Sequence, residues 1–376
     1  MGVISLCADI TYEGARSITG PYLSILGASA GLVGLITGFG EFAGFLLRLP
    51  FGYLADRTKA YWWLTIIGYG MILAIPLLAF AGHWQIAALL IIIERVGKAI
   101  RSPARDTILS YATKQVGRGM GFGIHEAMDQ IGAVIGPLVF SGIFLFKGSY
   151  QQGFTLLWIP AVLVLGILFF AKTRVSSPQE LESDAAVQQD VQKTLPRTFW
   201  VYTLFIFVSV CGFASFPLIS FHLKTKAIFS DTAIPLLYAA AMAIDAVVAL
   251  IIGKMYDRIG LRTLFAIPLL TLFIPFLAFS YNKGLVIASV LLWGSAMGVH
   301  ETIMRAAIAD LAPLQKRGAA YGIFNTAYGL AFFLGSAAMG FLYEAKIAYL
   351  VFFAVGMQVF SLAVFSLLWK QTRSVA

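Results

Sequence analysis

The stretch "LLWIPAVLVLGILFF", residues 156–170, contains no charged side chain and does not alternate apolar with polar residues. With its neighbours it forms an apolar run, 154–171, close to the roughly 20 residues that a helix needs to cross a bilayer. The strands of a membrane β-barrel would instead alternate apolar and polar residues in segments of about ten. This stretch therefore predicts a transmembrane α-helix.

Similar stretches recur along the whole chain, and the composition agrees with them. Hydrophobic residues make up 59% of the 376 and charged residues only 12%, about half the share found in soluble domains. The first residues lack the basic segment and cleavage site of a signal peptide, so we expect no cleaved leader. We predict an all-α membrane protein with twelve spans, at about 3–27, 29–55, 61–81, 84–112, 118–146, 153–171, 198–223, 232–256, 262–280, 284–311, 317–343 and 347–369.

The net charge of +9 comes mainly from short loops on one side of the predicted membrane. Most basic loop residues, such as Arg57, Lys172 and Arg317, follow even-numbered spans, whereas the opposite loops hold a few lysines such as Lys147. By the positive-inside rule both termini lie in the cytoplasm, and we expect the cytoplasmic membrane of a bacterium or archaeon. A nucleic-acid-binding protein would carry its basic residues in one cluster, so no nucleic-acid partner is expected.

A polar segment, 173–197, divides the chain into an N-terminal six-helix bundle, 1–172, and a C-terminal six-helix bundle, 198–376. We interpret this segment as a cytoplasmic linker. The two halves repeat each other: "GYLADRTKA" at 52–60 corresponds to "GKMYDRIGLR" at 253–262, each after the second span of its half. Such repeats predict pseudo-two-fold symmetry and a transporter that alternates access to a site between its halves.

The repeated loop resembles the signature loop of the major facilitator superfamily, and the six-plus-six arrangement extends the resemblance over the whole chain. The first copy departs from the family pattern at Thr58, Lys59 and Ala60, whereas the second copy, with Gly260 and Arg262, is closer to it. The resemblance implies secondary transport, with a charged gate that closes the cytoplasmic side. The gate residues it implies are Gly52, Asp56, Arg57, Arg105, Asp106, Gly253, Asp257 and Arg258.

Ionisable residues avoid the third, sixth, ninth and twelfth spans, which face lipid in transporters of this layout. Charge inside a span costs about 2.5–3.5 kcal/mol per residue at its centre, so each such residue is a functional hypothesis. In the first span Asp9, Glu13 and Arg16 share one helical face. One carboxylate there is expected to pair with Arg16 and the other to take up a coupling proton; the alternative is a purely structural ion network.

The fourth span carries the densest group of charges, in "ERVGKAIRSPARD" at 94–106. At about 1.5 Å per residue, its first charges lie near mid-membrane, whereas Arg105 and Asp106 reach the cytoplasmic edge. We expect Glu94, Arg95 and Lys98 to line the cavity. The alternative for Lys98 and Arg101 is that they only extend to the interface.

The fifth span contains His125, Glu126 and Asp129, one helical turn apart. We interpret them as a proton relay or ion network, with metal ligation and inert packing as alternatives, and we expect no resident metal. Downstream, Gly132, Gly136 and Pro137 resemble the antiporter signature of drug exporters in the superfamily, although the same spacing marks close helix packing.

The second half has fewer ionisable groups and more aromatic residues, which suits an amphipathic organic solute with a charged group; the sign of that charge stays open. Together these patterns make the proton-coupling candidates Asp9, Glu13, Glu94, His125, Glu126 and Asp129. The candidates for the substrate cavity are Arg16, Glu41, Arg95, Lys98, Arg101, Asp245, His300, Glu301, Arg305, Asn325 and Tyr328.

We therefore predict a proton-coupled transporter of a small amphipathic or charged organic solute, with export by proton antiport favoured. The alternatives are a proton-symport importer, or an uncoupled facilitator of an organic or metal-chelate solute. The sequence has no nucleotide-binding loop, H-E-x-x-H or G-x-S-x-G motif, so an enzyme or receptor is a remote alternative. Expected partners are the solute, protons and lipid, with no cofactor, and we expect a monomer.

Overall fold

The computed structural model describes residues 1–112, 118–175, 194–313 and 316–373, with side chains except at 110–112, 118–123, 305, 309 and 371–373. Most of the predicted linker, 173–197, lies outside the described residues. Within them the chain is helical and contains no strand. The all-α prediction is therefore confirmed.

Twelve helical segments follow one another in the described residues, close to the predicted spans. Their bounds are α1 Gly2–Ile25, α2 Ala30–Thr58, α3 Tyr61–Phe80, α4 Trp84–Ala112, α5 Arg118–Leu145, α6 Tyr150–Arg174, α7 Arg197–Thr225, α8 Ala233–Ile259, α9 Ala266–Ala278, α10 Lys283–Leu311, α11 Arg317–Ala345 and α12 Ile347–Arg373. The helix of α7 stops at Cys211 and restarts at Phe216, where Pro217 lies in the first turn of the new helix. Proline is favoured there because the amide it lacks has no partner within the helix.

Ten of these segments belong to stretches that are long and apolar enough to cross a membrane, with α8 and α9 in one continuous stretch, Ala233–Ala278. The two segments left out are α1 and α4. These two segments contain the densest groups of charged residues within predicted spans. Their hydropathy is low because of these charges, which are the candidate site residues themselves.

The contacts of the chain group it into two compact units. The first unit comprises the described residues of Met1–Gly27, Ala43–Val187 and Ser230–Ala239. The second comprises those of Ala28–Phe42, Gln188–Phe229 and Ala240–Ala376. Each unit thus includes a short piece of a helix from the other half of the sequence. The division into 1–172 and 198–376 stays a prediction about the chain.

In the first unit, α1 and α5 approach until their backbones touch. A Cβ atom at Gly132 would lie 2.5 Å from the carbonyl oxygen of Leu6, and one at Gly136 would lie 2.5 Å from that of Ile10. Glycine is required at both positions because no side chain fits between the helices. The same holds between α3 and α4, where a Cβ at Gly68 would lie 2.6 Å from the carbonyl oxygen of Gly97. These contacts place the charged faces of α1 and α4 within the unit.

The second unit is held together by aromatic packing. Trp293 of α10 is fully buried against Phe213, with ring centroids 5.7 Å apart, and donates a hydrogen bond to the carbonyl oxygen of Ala214 at 2.9 Å. Tyr202 of α7 stacks on Phe324 of α11 at 5.5 Å. These contacts hold the two ends of the interrupted α7 against α10 and α11.

Candidate functional site

The acidic face of α1 lies inside the first unit, where Glu13 interacts with two other side chains. Arg16 lies one turn from Glu13, with Nη1 3.5 Å from Oε1. The hydroxyl of Tyr238 donates a hydrogen bond to the other oxygen, Oε2, at 2.5 Å. Tyr238 is fully buried and comes from the part of α8 that belongs to this unit. Glu13 is thus an acceptor shared by a cation and a phenol.

Glu94 forms the centre of a second ion cluster on α4. Its carboxylate lies 3.2 Å from Arg101 Nη2 and 3.7 Å from Arg95 Nε. Only 1% of Glu94 and 3% of Arg101 is exposed. The guanidinium of Arg101 also donates to the carbonyl oxygen of Gly68 at 3.3 Å, which ties α4 to α3. The guanidinium of Arg101 is therefore ion-paired and hydrogen-bonded inside the unit.

Tyr12 connects the face of α1 to that of α4. Arg95 donates a hydrogen bond to its hydroxyl, and the guanidinium carbon lies 4.2 Å from the ring centroid. The ammonium of Lys98 lies 4.3 Å from the same centroid, and Arg16 lies 5.8 Å from it. Three cations thus lie near one aromatic ring, and the attraction of Arg95 and Lys98 to its electron-rich face joins α4 to α1.

The predicted residues of α5 lie in different surroundings. His125 is buried, with Nε2 3.8 Å from Asp129 Oδ2, whereas Glu126 is exposed. Asp129 interacts electrostatically with Asp9 of α1. The structure thus brings Asp9 and Asp129 together across the close α1–α5 interface. It does not bring Glu126 to them.

The gate residues implied by the resemblance are brought together only in part. Arg105 pairs with its neighbour Asp106, with Nη2 and Nε 2.8 and 2.9 Å from Oδ1. Asp56 and Arg57 are exposed at the end of α2, and among the described residues no ion pair joins them to α4. Gly52 lies beside Pro103 of α4 at an ordinary contact distance. The charged gate stays a prediction.

The second copy of this motif lies at the C-terminal end of α8, in the other unit. Gly253 lies beside Thr302, and Asp257 and Arg258 are exposed. The preceding residue, Tyr256, donates a hydrogen bond to Asp310 of α10 at 2.7 Å. The family resemblance implied that Asp257 would contact the neighbouring helix. In the structure Tyr256, the residue before it, contacts α10 instead.

The remaining candidates of the second unit differ in their burial and in the side chains around them. His300 is 1% exposed, and its ring lies 5.2 Å from Phe213 and 6.4 Å from Tyr328. Asp245 is buried beside Gly298. Glu301 is exposed, Asn325 is partly buried, and the side chain of Arg305 lies outside the described residues. Glu41, on the segment of α2 that joins this unit, is partly buried.

Among the described residues, no group of three or more His, Cys, Asp and Glu side chains is placed so that it could hold a metal ion.

The sequence profile of the Major Facilitator Superfamily matches residues 2–244 and 203–375. The chain belongs to this superfamily. An uncharacterized protein of Mycobacterium tuberculosis is 41% identical over 96% of this chain and 90% of its own length. An uncharacterized MFS-type transporter of Methanocaldococcus jannaschii is 26% identical over 92% of this chain and 87% of its own. A mutant of the nucleoside transporter NupG has a TM-score of 0.75 at 15% identity, over 97% of this chain and 98% of its own.

Membership of the superfamily confirms the family and the twelve-helix fold predicted from the sequence. It identifies an integral membrane protein and a secondary transporter of a small molecule. The likeness to NupG, at its low identity, shows the fold alone.

Two tyrosines of the first unit have contacts with the charged residues that sequence reasoning did not predict. Tyr12 stands three residues after Asp9 and four before Arg16, so its position on the charged face of α1 was readable from helical periodicity. Tyr238 is far along the chain, and no local pattern links it to Glu13. Asp310 also had a signal, because it ends the tenth span as Asp106 ends the fourth.

Proposed function

We propose that this superfamily member is a proton-coupled transporter of an amphipathic organic solute, and that Asp9 and Glu13 are its coupling acids. The observation that carries the proposal is the buried cluster on α1, in which Glu13 accepts from Arg16 and Tyr238 while Asp9 adjoins Asp129. A carboxylate that is bonded to a cation and a phenol can release these partners when it is protonated. When access alternates, the carboxylate is exposed to water on each side of the membrane in turn, so that it can bind a proton on one side and release it on the other.

We further propose that the direction is export by proton antiport. The resemblance of Gly132, Gly136 and Pro137 to the antiporter signature supports this direction. The same glycines lie against α1, which carries both proposed acids. A shift of α5 against α1 would therefore reach the proton site directly.

The test is uptake into proteoliposomes by the full chain, using solutes that stabilise the purified protein in a thermal-shift screen. An acidic lumen drives solute accumulation by antiport, and an acidic exterior drives accumulation by symport. An uncoupled facilitator accumulates solute under neither gradient. A gradient of one pH unit stores about 1.4 kcal/mol, which supports about tenfold accumulation at one proton per solute. We expect accumulation with an acidic lumen.

The variants Asp9→Asn and Glu13→Gln should lose this accumulation and keep solute exchange between equal concentrations, because exchange needs no net proton movement. The matched control is Glu182→Gln, in the predicted linker, which should accumulate solute normally. If both neutral variants accumulated solute like the native protein, the two acids would be excluded as the coupling site. An equal response to both gradient directions would exclude coupling itself.

A further inference from the structure

Two cations of α4 lie on the face of a single tyrosine. The guanidinium of Arg95 and the ammonium of Lys98 are 4.2 and 4.3 Å from the ring centroid of Tyr12. Their like charges repel each other, and Arg95 is one of the electrostatic neighbours of Lys98. The ring attracts both cations but carries no net charge, so it does not neutralise them.

The carboxylates of this cluster are already ion-paired with arginines, and Glu94 also lies 3.7 Å from Arg95 Nε. Glu94 lies 3.2 Å from Arg101, and Glu13 lies 3.5 Å from Arg16. Lys98 interacts with Asp9, Glu13 and Glu94 over longer distances, but among the described residues no carboxylate lies within ion-pair distance of its ammonium. An ammonium has three donors, and inside a membrane protein each favours an acceptor.

Lys98 also differs from its neighbours in access. Glu94 and Arg101 are almost completely buried, whereas Lys98 is only partly buried. Part of the Lys98 residue therefore lies at the surface of the structure, whereas the Glu94–Arg101 pair is enclosed.

We infer that the transported solute carries an oxyanion, a carboxylate or a phosphate-type group, which binds between Lys98 and Arg95 on the face of Tyr12. One anion there would reduce the repulsion between the two cations and accept charge-assisted hydrogen bonds from both. The inference rests on the proposed function, because it concerns the solute of the same site. It assigns the sign of charge that the sequence leaves open.

The experiment is a thermal-shift titration of the purified full chain with solute pairs that differ in charge alone. The pairs are benzoate and benzamide, indole-3-acetate and indole-3-acetamide, and octanoate and octanamide, with phenyl phosphate as a further oxyanion. We expect the anionic members to raise the unfolding midpoint and the amides not to do so. Absence of a shift with every anion, or equal shifts with both members of each pair, would overturn the inference.

Variants then locate the effect. Lys98→Met should weaken the apparent affinity for the anions at least about tenfold, as the loss of a hydrogen bond to a charged group does. Lys98→Arg should retain most of it. The matched control is Lys172→Met, because Lys172 also lies over an aromatic ring, 3.4 Å from the centroid of Trp63, at the end of α6. It should bind the anions normally.

Should Lys98→Met fail to fold, Lys98→Gln is titrated instead, and unchanged anion affinity in the folded neutral variant would exclude the site. A lipid headgroup presents the same chemistry as a solute anion. The titration is therefore repeated in micelles with and without phosphatidylglycerol. A Lys98-dependent shift with this lipid, and none with the soluble anions, would overturn the assignment to a solute.

The inference and the proposed function can fail separately. A neutral or cationic solute that accumulates under a pH gradient would leave proton coupling intact and disprove the oxyanion. If transport of an anion depended on Lys98 but did not respond to any pH gradient, the oxyanion site would stand and proton coupling would be disproved.

Discussion

Glu94 is a carboxylate inside a membrane segment, and two guanidinium groups lie beside it. Removing charges from water is costly, and the pairing offsets this cost only while both partners remain. Arg101 contributes the shorter contact and also bonds to Gly68, so it fixes both the carboxylate and the neighbouring helix. A residue first proposed for the substrate cavity thus supports the fold as well.

This arrangement predicts a large stability loss on truncation. Arg101→Met should lower the free energy of unfolding by about 3 kcal/mol, because it leaves a buried carboxylate short of its main partner. Arg101→Lys should lose less, since it keeps the charge but not the planar group that reaches Gly68. Unfolding in mixed micelles measures both, with Arg57→Met, at an exposed arginine, as the control.

The pair is tested further by adding Glu94→Gln to Arg101→Met. The double variant should be less destabilised than the sum of the single variants, because no unpaired buried charge remains. Additive losses would show that the two side chains act independently.

At the scale of elements, the close contact of α1 with α5 determines where the proton-coupling candidates lie. Gly136 meets only backbone atoms: a Cβ there would lie 2.5 Å from Ile10 O and 2.6 Å from Gly14 N. Backbone cannot move aside as a flexible side chain can. The two helices would have to separate to admit a methyl group, and Asp9 would then move away from Asp129.

We therefore expect Gly136→Ala to destabilise the protein by about 1–3 kcal/mol, the usual cost of overpacking, and to reduce gradient-driven transport. Gly142→Ala is the matched control on the same helix, because nothing lies within 4 Å of its Cβ position. It should be neutral or slightly stabilising, since alanine favours helix over glycine by up to about 1 kcal/mol. Equal unfolding midpoints for the two variants would contradict the packing explanation.

At the scale of the whole molecule, the distribution of basic loop residues predicts the orientation in the membrane. Lys59 follows α2 and Lys147 follows α5, and both have a left-handed backbone, with φ of 55° and 60°. They therefore form a matched pair of loop positions on opposite predicted sides. Both native cysteines, Cys7 and Cys211, are buried, so they compete little for a water-soluble reagent.

Lys59→Cys should react with a membrane-impermeant maleimide only in inside-out vesicles, and Lys147→Cys only in intact cells, because the positive-inside rule places Lys59 in the cytoplasm. Gel-shift labelling with a large maleimide reads out both. The protein lacking introduced cysteines gives the background. The reverse pattern would overturn the predicted topology.

Much of the architecture was predictable because transfer into a membrane depends on local composition. The predicted fourth span, 84–112, coincides with α4, and the predicted second and sixth spans, 29–55 and 153–171, largely overlap α2 and α6. Repeats and charge bias added the family and the predicted orientation. The charged faces of α1 and α4 were visible for the same reason, since helical periodicity is also local.

Tertiary structure alone decided which groups meet. The rotation of each helix about its axis is set by packing against its neighbours, not by its own sequence. This is why Tyr238 was not connected with Glu13, and why Tyr256 instead of Asp257 reaches across to α10. Lys98 was visible in the sequence as a cation within a span. The fact that Glu13 and Glu94 pair with arginines and not with Lys98 emerged only when the helices were packed together.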